Sequence, residues 1–173
     1  MIIKALKTAT ARISQKYFLL MIADMEHPIK RERAYCYELY HQLRLVLNDS
    51  EMVLTGEPDK KGHPSYSGSE KKPNPDLIFH KPGSNRHNSS VVEVECTPTL
   101  AHLKKDLLTL SQMREKGYQE LILLLFAVKN VPWQQLASAA MATGVNLSDI
   151  NVLLHKTPDQ EATVECAPPE NAA

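Results

Sequence analysis

Cysteine is scarce and scattered in this 173-residue chain: Cys36, Cys96 and Cys166 form an odd set with no CxxC spacing. That excludes a disulfide framework or a paired-cysteine zinc site, and fits a reduced, cytoplasmic protein. Net charge is lacking too. Twenty basic and 20 acidic residues give a formal charge of +0, so the molecule has no long-range pull on nucleic acid. Any DNA or RNA contact must come from a local basic patch. Long apolar runs are missing from the N-terminus, where Tyr17 to Ala23 follows Lys4, Lys7, Arg12 and Lys16 and stops at Asp24. That run is short for a signal segment and far too short to span a membrane. There is no internal repeat, Gly-rich phosphate loop, GxSxG elbow, or HxH or HxxxH histidine spacing.

What is present suffices for one folded domain. A hydrophobic fraction of 43% and a charged fraction of 23% are ordinary for a globular chain of this size. We read residues 1–156 as a single domain and 157–173, rich in Pro, Glu, Ala and Asn, as a disordered tail. Ile2, Leu6, Ala9, Ile13, Tyr17 and Leu20 recur at helical spacing and predict one amphipathic helix over 2–25. A second helix is expected from about Ile29 to Leu47, with Glu32, Cys36, Leu39, Leu43 and Val46 on one stripe and Tyr35 and Tyr40 flanking it. Glu32 reads equally as a first-turn acid complementing the helix dipole or as a carboxylate aimed at a site.

Glu51 to Thr55 alternates like a strand. Residues 56–74 form a long Gly- and Pro-punctuated loop, whose Lys60, Lys61, Lys71 and Lys72 either approach a polyanion or are simply solvated. Strands follow at Asp76–His80 and Val91–Cys96. Thr97-Pro98-Thr99 introduces a helix from Leu100 to Lys116 that Gly117 ends. Leu121 to Val128 is apolar throughout, as for a central strand covered on both faces. A helix from Pro132 through Trp133, Leu136, Ala140 and Met141 stops at Gly144, and Ile150–His155 is a last strand. This order predicts an α/β fold, a mixed central sheet flanked by helices.

The notable feature is acid on apolar strands. A carboxylate on a core strand is expensive to desolvate unless a positive charge, a metal or a proton accompanies it. Alternate strand residues share a face, so Glu93 and Glu95 point the same way, with Cys96 opposite as a packing thiol. Should Asp76 on the neighbouring strand face them, three carboxylates converge, a hard-oxygen set suited to Mg²⁺ or Mn²⁺. Structural alternatives stand beside this: Asp76 caps a strand entry after Pro75, and Glu93 pairs with a guanidinium such as Arg33 or Arg114. Among the histidines only His80 falls on the face of Asp76.

Pro75-Asp76, a hairpin, Glu93-x-Glu95 and a following helix resemble the PD-(D/E)XK nuclease superfamily over roughly residues 29–128. The resemblance implies a restriction-endonuclease-like αβββαβ core, here with an N-terminal helix and a C-terminal αβ extension. It implies Mg²⁺- or Mn²⁺-dependent hydrolysis of DNA phosphodiesters, with Asp76 and Glu93 as ligands beside the Val94 carbonyl, and Glu32 joining from the first helix. The family's lysine is replaced by Glu95, an acid that serves as base or ligand in a minority of members. The nearest lysines that could supply the charge or bind substrate are Lys104 and Lys105, with Lys72 in the preceding loop. The competing expectation is a catalytically silent domain of the same fold that binds a protein or nucleic-acid partner. DNA reached through local lysines, no membrane, and room for a homodimer complete the expected partners.

Overall fold

The computed structural model describes residues 1–48, 50–58, 73–83 and 88–168. Lys72, His87 and most of the 56–74 loop lie outside the described residues. In chain order the elements are α1 (Ile2–Thr10), α2 (Gln15–Phe18), α3 (Glu32–Val46), β1 (Val53–Gly56), β2 (Leu77–His80), β3 (Asn88–Glu95), α4 (Leu100–Glu115), β4 (Glu120–Phe126), α5 (Trp133–Thr143), β5 (Ile150–His155) and β6 (Thr163–Glu165). Among the described residues the strands make one six-stranded sheet in sequential order, β1 to β6. Pairing is antiparallel from β1 to β3, parallel from β3 to β5, and antiparallel again at β6. The protein is therefore α/β with a mixed sheet, and no helix among the described residues is long and apolar enough to cross a membrane.

Strand alternation divides the core into two layers. Leu77, Phe79, Val92, Val94, Ile122, Leu124 and Phe126 turn to the face covered by α1 and α3. Ile78, Val91, Leu121, Leu123 and Leu125 turn to the face covered by α4 and α5. Strand β4 thus feeds both layers, which is why its sequence is apolar without interruption. Helix α4 starts where the Thr99 hydroxyl accepts the His102 N–H at 3.2 Å, and Gly117, at φ 90°, lets the chain leave it.

Several boundaries differ from the expected ones, each for a local reason. The single helix over 2–25 is broken, because Thr10 and Ile13 are used by the C-terminal segment. The Thr10 hydroxyl accepts the Ala162 N–H at 2.9 Å, and the Ile13 carbonyl accepts that of Asp159 at 2.9 Å. With Ala162 fully buried and β6 laid against β5, the segment after Thr157 is not a disordered tail through Glu165. Helix α3 begins at Glu32 rather than Ile29, since Ile29 is paired with Leu20 in an antiparallel bridge. Its buried stripe runs through Tyr35, Leu39 and Leu43, so Tyr35 is central and Cys36 is the flanking residue, only half-buried. Met141 of α5 points to solvent. Asp76 and Cys96 each lie one residue outside their strands.

Candidate functional site

The register of β2 against β3 opposes Leu77 to Val92, so one step further Asp76 meets Glu93. Asp76 Oδ2 accepts the Val94 N–H at 2.7 Å, tying the chain before β2 to the end of β3. Glu93, only 1% exposed, sits against the Asp76 carboxyl: burial first, then Asp76 and Asp106, push it well above the usual carboxylate range. Burial also raises Asp76, against the pull of the Val94 N–H.

Glu95 shares the α4 side of β3 with Glu93 and is nearly as buried. Its Oε1 accepts the Thr97 N–H, and its Oε2 lies 3.0 Å from His102 Nδ1 on α4. That nitrogen is also 3.0 Å from the Thr97 carbonyl, so it carries its proton between two acceptors. Glu32 enters from the first turn of α3. Burial, Asp76 and Glu95, in that order, raise it to about 7. Its role is thus more than dipole complement, since an isolated first-turn acid has no reason to titrate there.

Three residues of the pocket were not singled out by the sequence. Asp106, on the buried stripe of α4 with Leu103 and Leu110, is 3% exposed. Burial raises it to about 7, with Lys105 opposing and Glu95, Asp76 and Glu32 assisting. His102, exposed on α4, holds Glu95. Cys96 packs in the α1/α3 layer as expected, yet the chain turns after Glu95 and brings its thiol back. Sulfur and carboxylate atoms of Cys96, Glu32 and Glu95 lie within 4.8 Å of one another. The readable signal was an acid at position 106 on an otherwise apolar helix stripe.

Two lysines border the pocket: Lys30 Nζ donates to the Cys96 carbonyl at 2.9 Å, and Lys105 faces the acids. The charge of Lys105 acts on Glu32, Asp76, Glu93 and Asp106, and its Nζ is 3.6 Å from Asp106 Oδ1. Lys104 is not among the principal charges on these acids. Arg33 instead pairs with Glu57 at 3.4 Å, and Arg114 donates to the Gln119 and Asp149 carbonyls. His80 turns to Thr55, 3.4 Å away, rather than to the acids.

A lysine, a histidine and five carboxyls, those of Glu32, Asp76, Glu93, Glu95 and Asp106, therefore meet around the end of β3. Among the described residues, two buried oxygens of this pocket, Glu93 Oε1 and Asp106 Oδ2, find no hydrogen-bond partner. A buried polar atom left unsatisfied costs about 1–3 kcal/mol, and more for a charged group. Among the described residues the group whose ligand atoms lie within reach of one common ion is Glu32, Glu95 and Cys96, a mixed oxygen and sulfur set. Glu32, Asp76, Glu93 and Asp106 can all offer an oxygen. No protein-family model, curated protein or solved structure matches this chain.

Proposed function

We propose that this protein is a Mg²⁺- or Mn²⁺-dependent nuclease that hydrolyses DNA phosphodiester bonds. The carrying observation is the convergence of Asp76 and Glu93 from neighbouring strands, with Glu32 and Lys105 arriving from the helices on either side. The order α3-β1-β2-β3-α4-β4, with its antiparallel triplet and a parallel fourth strand, supports the restriction-endonuclease-like reading. In that reading Asp76 and Glu93 hold the cation. Once bound, it polarises a phosphoryl oxygen and lowers the pKa of a water.

The chain's own groups supply the rest. Lys105, and not the residue at position 95, brings the positive charge that the motif lysine carries, facing the charge that develops on phosphate. Glu32, poised at about 7, is suited to take the proton of an attacking water. Glu95 positions rather than reacts, because both its oxygens are engaged. That engagement also favours the second reading, a silent domain of this fold that binds a partner: a fixed Glu95 is a poor base. Incubation with plasmid and single-stranded DNA plus Mn²⁺ separates the two. Cleavage that requires metal and is lost in Asp76→Ala supports the nuclease; absence of such cleavage overturns it.

A further inference from the structure

Glu95, in the place of the motif lysine, has both oxygens engaged, and one of them holds an imidazole. One oxygen accepts the Thr97 N–H, and the other lies 3.0 Å from His102 Nδ1. The Thr97 carbonyl is 3.0 Å from the same nitrogen. With two acceptors around it, Nδ1 keeps its proton, and Nε2 is the nitrogen left to give or take one. His102 is fixed at its root as well, since its N–H donates to the Thr99 hydroxyl at 3.2 Å in the first turn of α4. The His102 side chain is 52% exposed and that of Glu95 only 6%, so the ring stands at the mouth of the pocket and its anchor lies inside. A buried carboxylate behind an accessible imidazole is how hydrolytic sites hold a proton carrier in one tautomer and one orientation.

We propose that His102 is the general acid of the phosphodiester reaction, giving its Nε2 proton to the leaving oxygen, with Glu95 as the positioning residue that aims it. The proposal rests on the reading of the pocket as a nuclease site. His102 arrives on α4, which covers one face of the sheet, and Glu32 on α3, which covers the other. Both reach the end of β3, where a carboxylate oxygen of Glu32 lies within 4.8 Å of one of Glu95. Entering and leaving oxygens stand on opposite sides of phosphorus in an in-line displacement, so groups approaching from opposite faces suit the two proton transfers. His102 enters the step protonated on both nitrogens. Water oxygen bonds to phosphorus as Glu32 takes a water proton; the bond to the leaving oxygen breaks, and that oxygen keeps the electron pair and takes the Nε2 proton. His102 ends neutral, still donating Nδ1–H to Glu95, and regains its proton from solvent. An acid at position 95 thereby serves the reaction through an imidazole.

The test compares leaving groups. The linkage that the wild type cuts with Mn²⁺ in a DNA oligonucleotide is mapped, and its leaving oxygen is replaced by bridging sulfur, which departs as thiolate without needing a proton. His102→Ala and His102→Asn should each lower kcat on ordinary DNA about 100-fold, with KM within about threefold. Both should cut the sulfur-bridged DNA within about threefold of wild type. His102→Asn keeps an N–H donor for Glu95 and loses only Nε2, so it separates proton donation from the tie and guards against a folding defect in the alanine variant. Glu95→Gln should show a smaller loss on ordinary DNA, again recovered with sulfur. Equal slowing on both substrates, or His102→Asn as active as wild type on ordinary DNA, overturns the general acid while the nuclease reading stands. No metal-dependent cleavage by the wild type overturns both.

Discussion

The protein buries two sets of titratable groups near the ends of neighbouring strands, and treats them oppositely. At the ends of β4 and β5, His155 is fully buried among aromatic rings. Its Nδ1 shares a 2.7 Å hydrogen bond with Tyr35, Phe18 meets its ring edge-on at 4.9 Å, and Tyr35 stacks on Phe126 at 3.8 Å. Burial lowers His155 to about 4, against the pull of the Thr157 and Gln160 backbone, so it is neutral near pH 7. At the end of β3, acids are buried together, with Lys30 and Lys105 at the rim. A neutral imidazole loses little on leaving water, whereas adjacent carboxylates lose much and also repel. Among the described residues the first nest also leaves a buried atom, His155 Nε2, without a hydrogen-bond partner, but it holds no charge near pH 7. The second makes physical sense only with protons or cations in it.

Breaking the acid pocket should produce the largest effect, and on function rather than fold. Asp76→Asn and Glu93→Gln keep the shape and remove the charge. Mn²⁺-dependent DNA cleavage should fall at least about 100-fold in each, since losing even an outer-shell partner costs about 10–100-fold. Melting temperatures without metal should not fall for Glu93→Gln, because a protonated carboxyl and an amide have the same size. A cleavage rate within a few-fold of wild type would refute the assignment.

The converse substitution is in the aromatic nest. His155→Ala removes a buried ring and orphans the Tyr35 hydroxyl, so unfolding free energy should drop by about 2–5 kcal/mol in denaturant titration. Metal stoichiometry should be unchanged in the fraction that folds. Loss of metal binding at preserved stability would break the contrast between the two regions.

A smaller effect separates two adjacent lysines. Lys105→Ala should slow cleavage roughly 10-fold or more by removing charge that faces phosphate. Lys104→Ala should change it less than about twofold. Equal loss in both would indicate generic electrostatic attraction to DNA, with a matching change in salt dependence.

Much of the scaffold was legible because periodicity reports burial. The uninterrupted run of β4, the alternating acids of β3 and the Gly144 stop of α5 each state their environment in a few residues. The sheet order was legible only as a class, since the pairing of β6 depends on Thr10 and Ile13, some 150 positions away. Within the pocket, Asp76, Glu93 and Glu32 were readable as acids where apolar residues belong. Asp106 obeys the same rule, but its neighbours Lys104 and Lys105 disguise the segment as a solvated helix face. His102 and Cys96 carry no local signal: each acquires its place from how the chain turns at Thr97.

The finest test uses pH, because the two regions have opposite linkage. In metal-free protein Glu32 and Asp106, raised to about 7, bind protons when folded that the unfolded chain has released from about pH 4 upward. The folded state holds more protons, so their contribution to stability falls as pH rises through about 4–7. For His155 the sign reverses: the unfolded chain binds the proton between about pH 4 and 6.5, and stability rises over that window. Each group tends toward ~1.4 kcal/mol per pH unit where only one state is protonated, so the two acids outweigh the single imidazole below pH 6.5. Melting curves in chelator should therefore fall there as pH rises, less steeply than the acids alone would make them. Asp106→Asn should tilt the curve upward with pH, and His155→Leu should tilt it downward. Saturating Mn²⁺ should lift the high-pH side most, since cations displace protons from the acids and bind tighter as pH rises. A Mn²⁺ stabilisation independent of pH from 5 to 8 would mean that the ion binds elsewhere, at carboxylates already ionised.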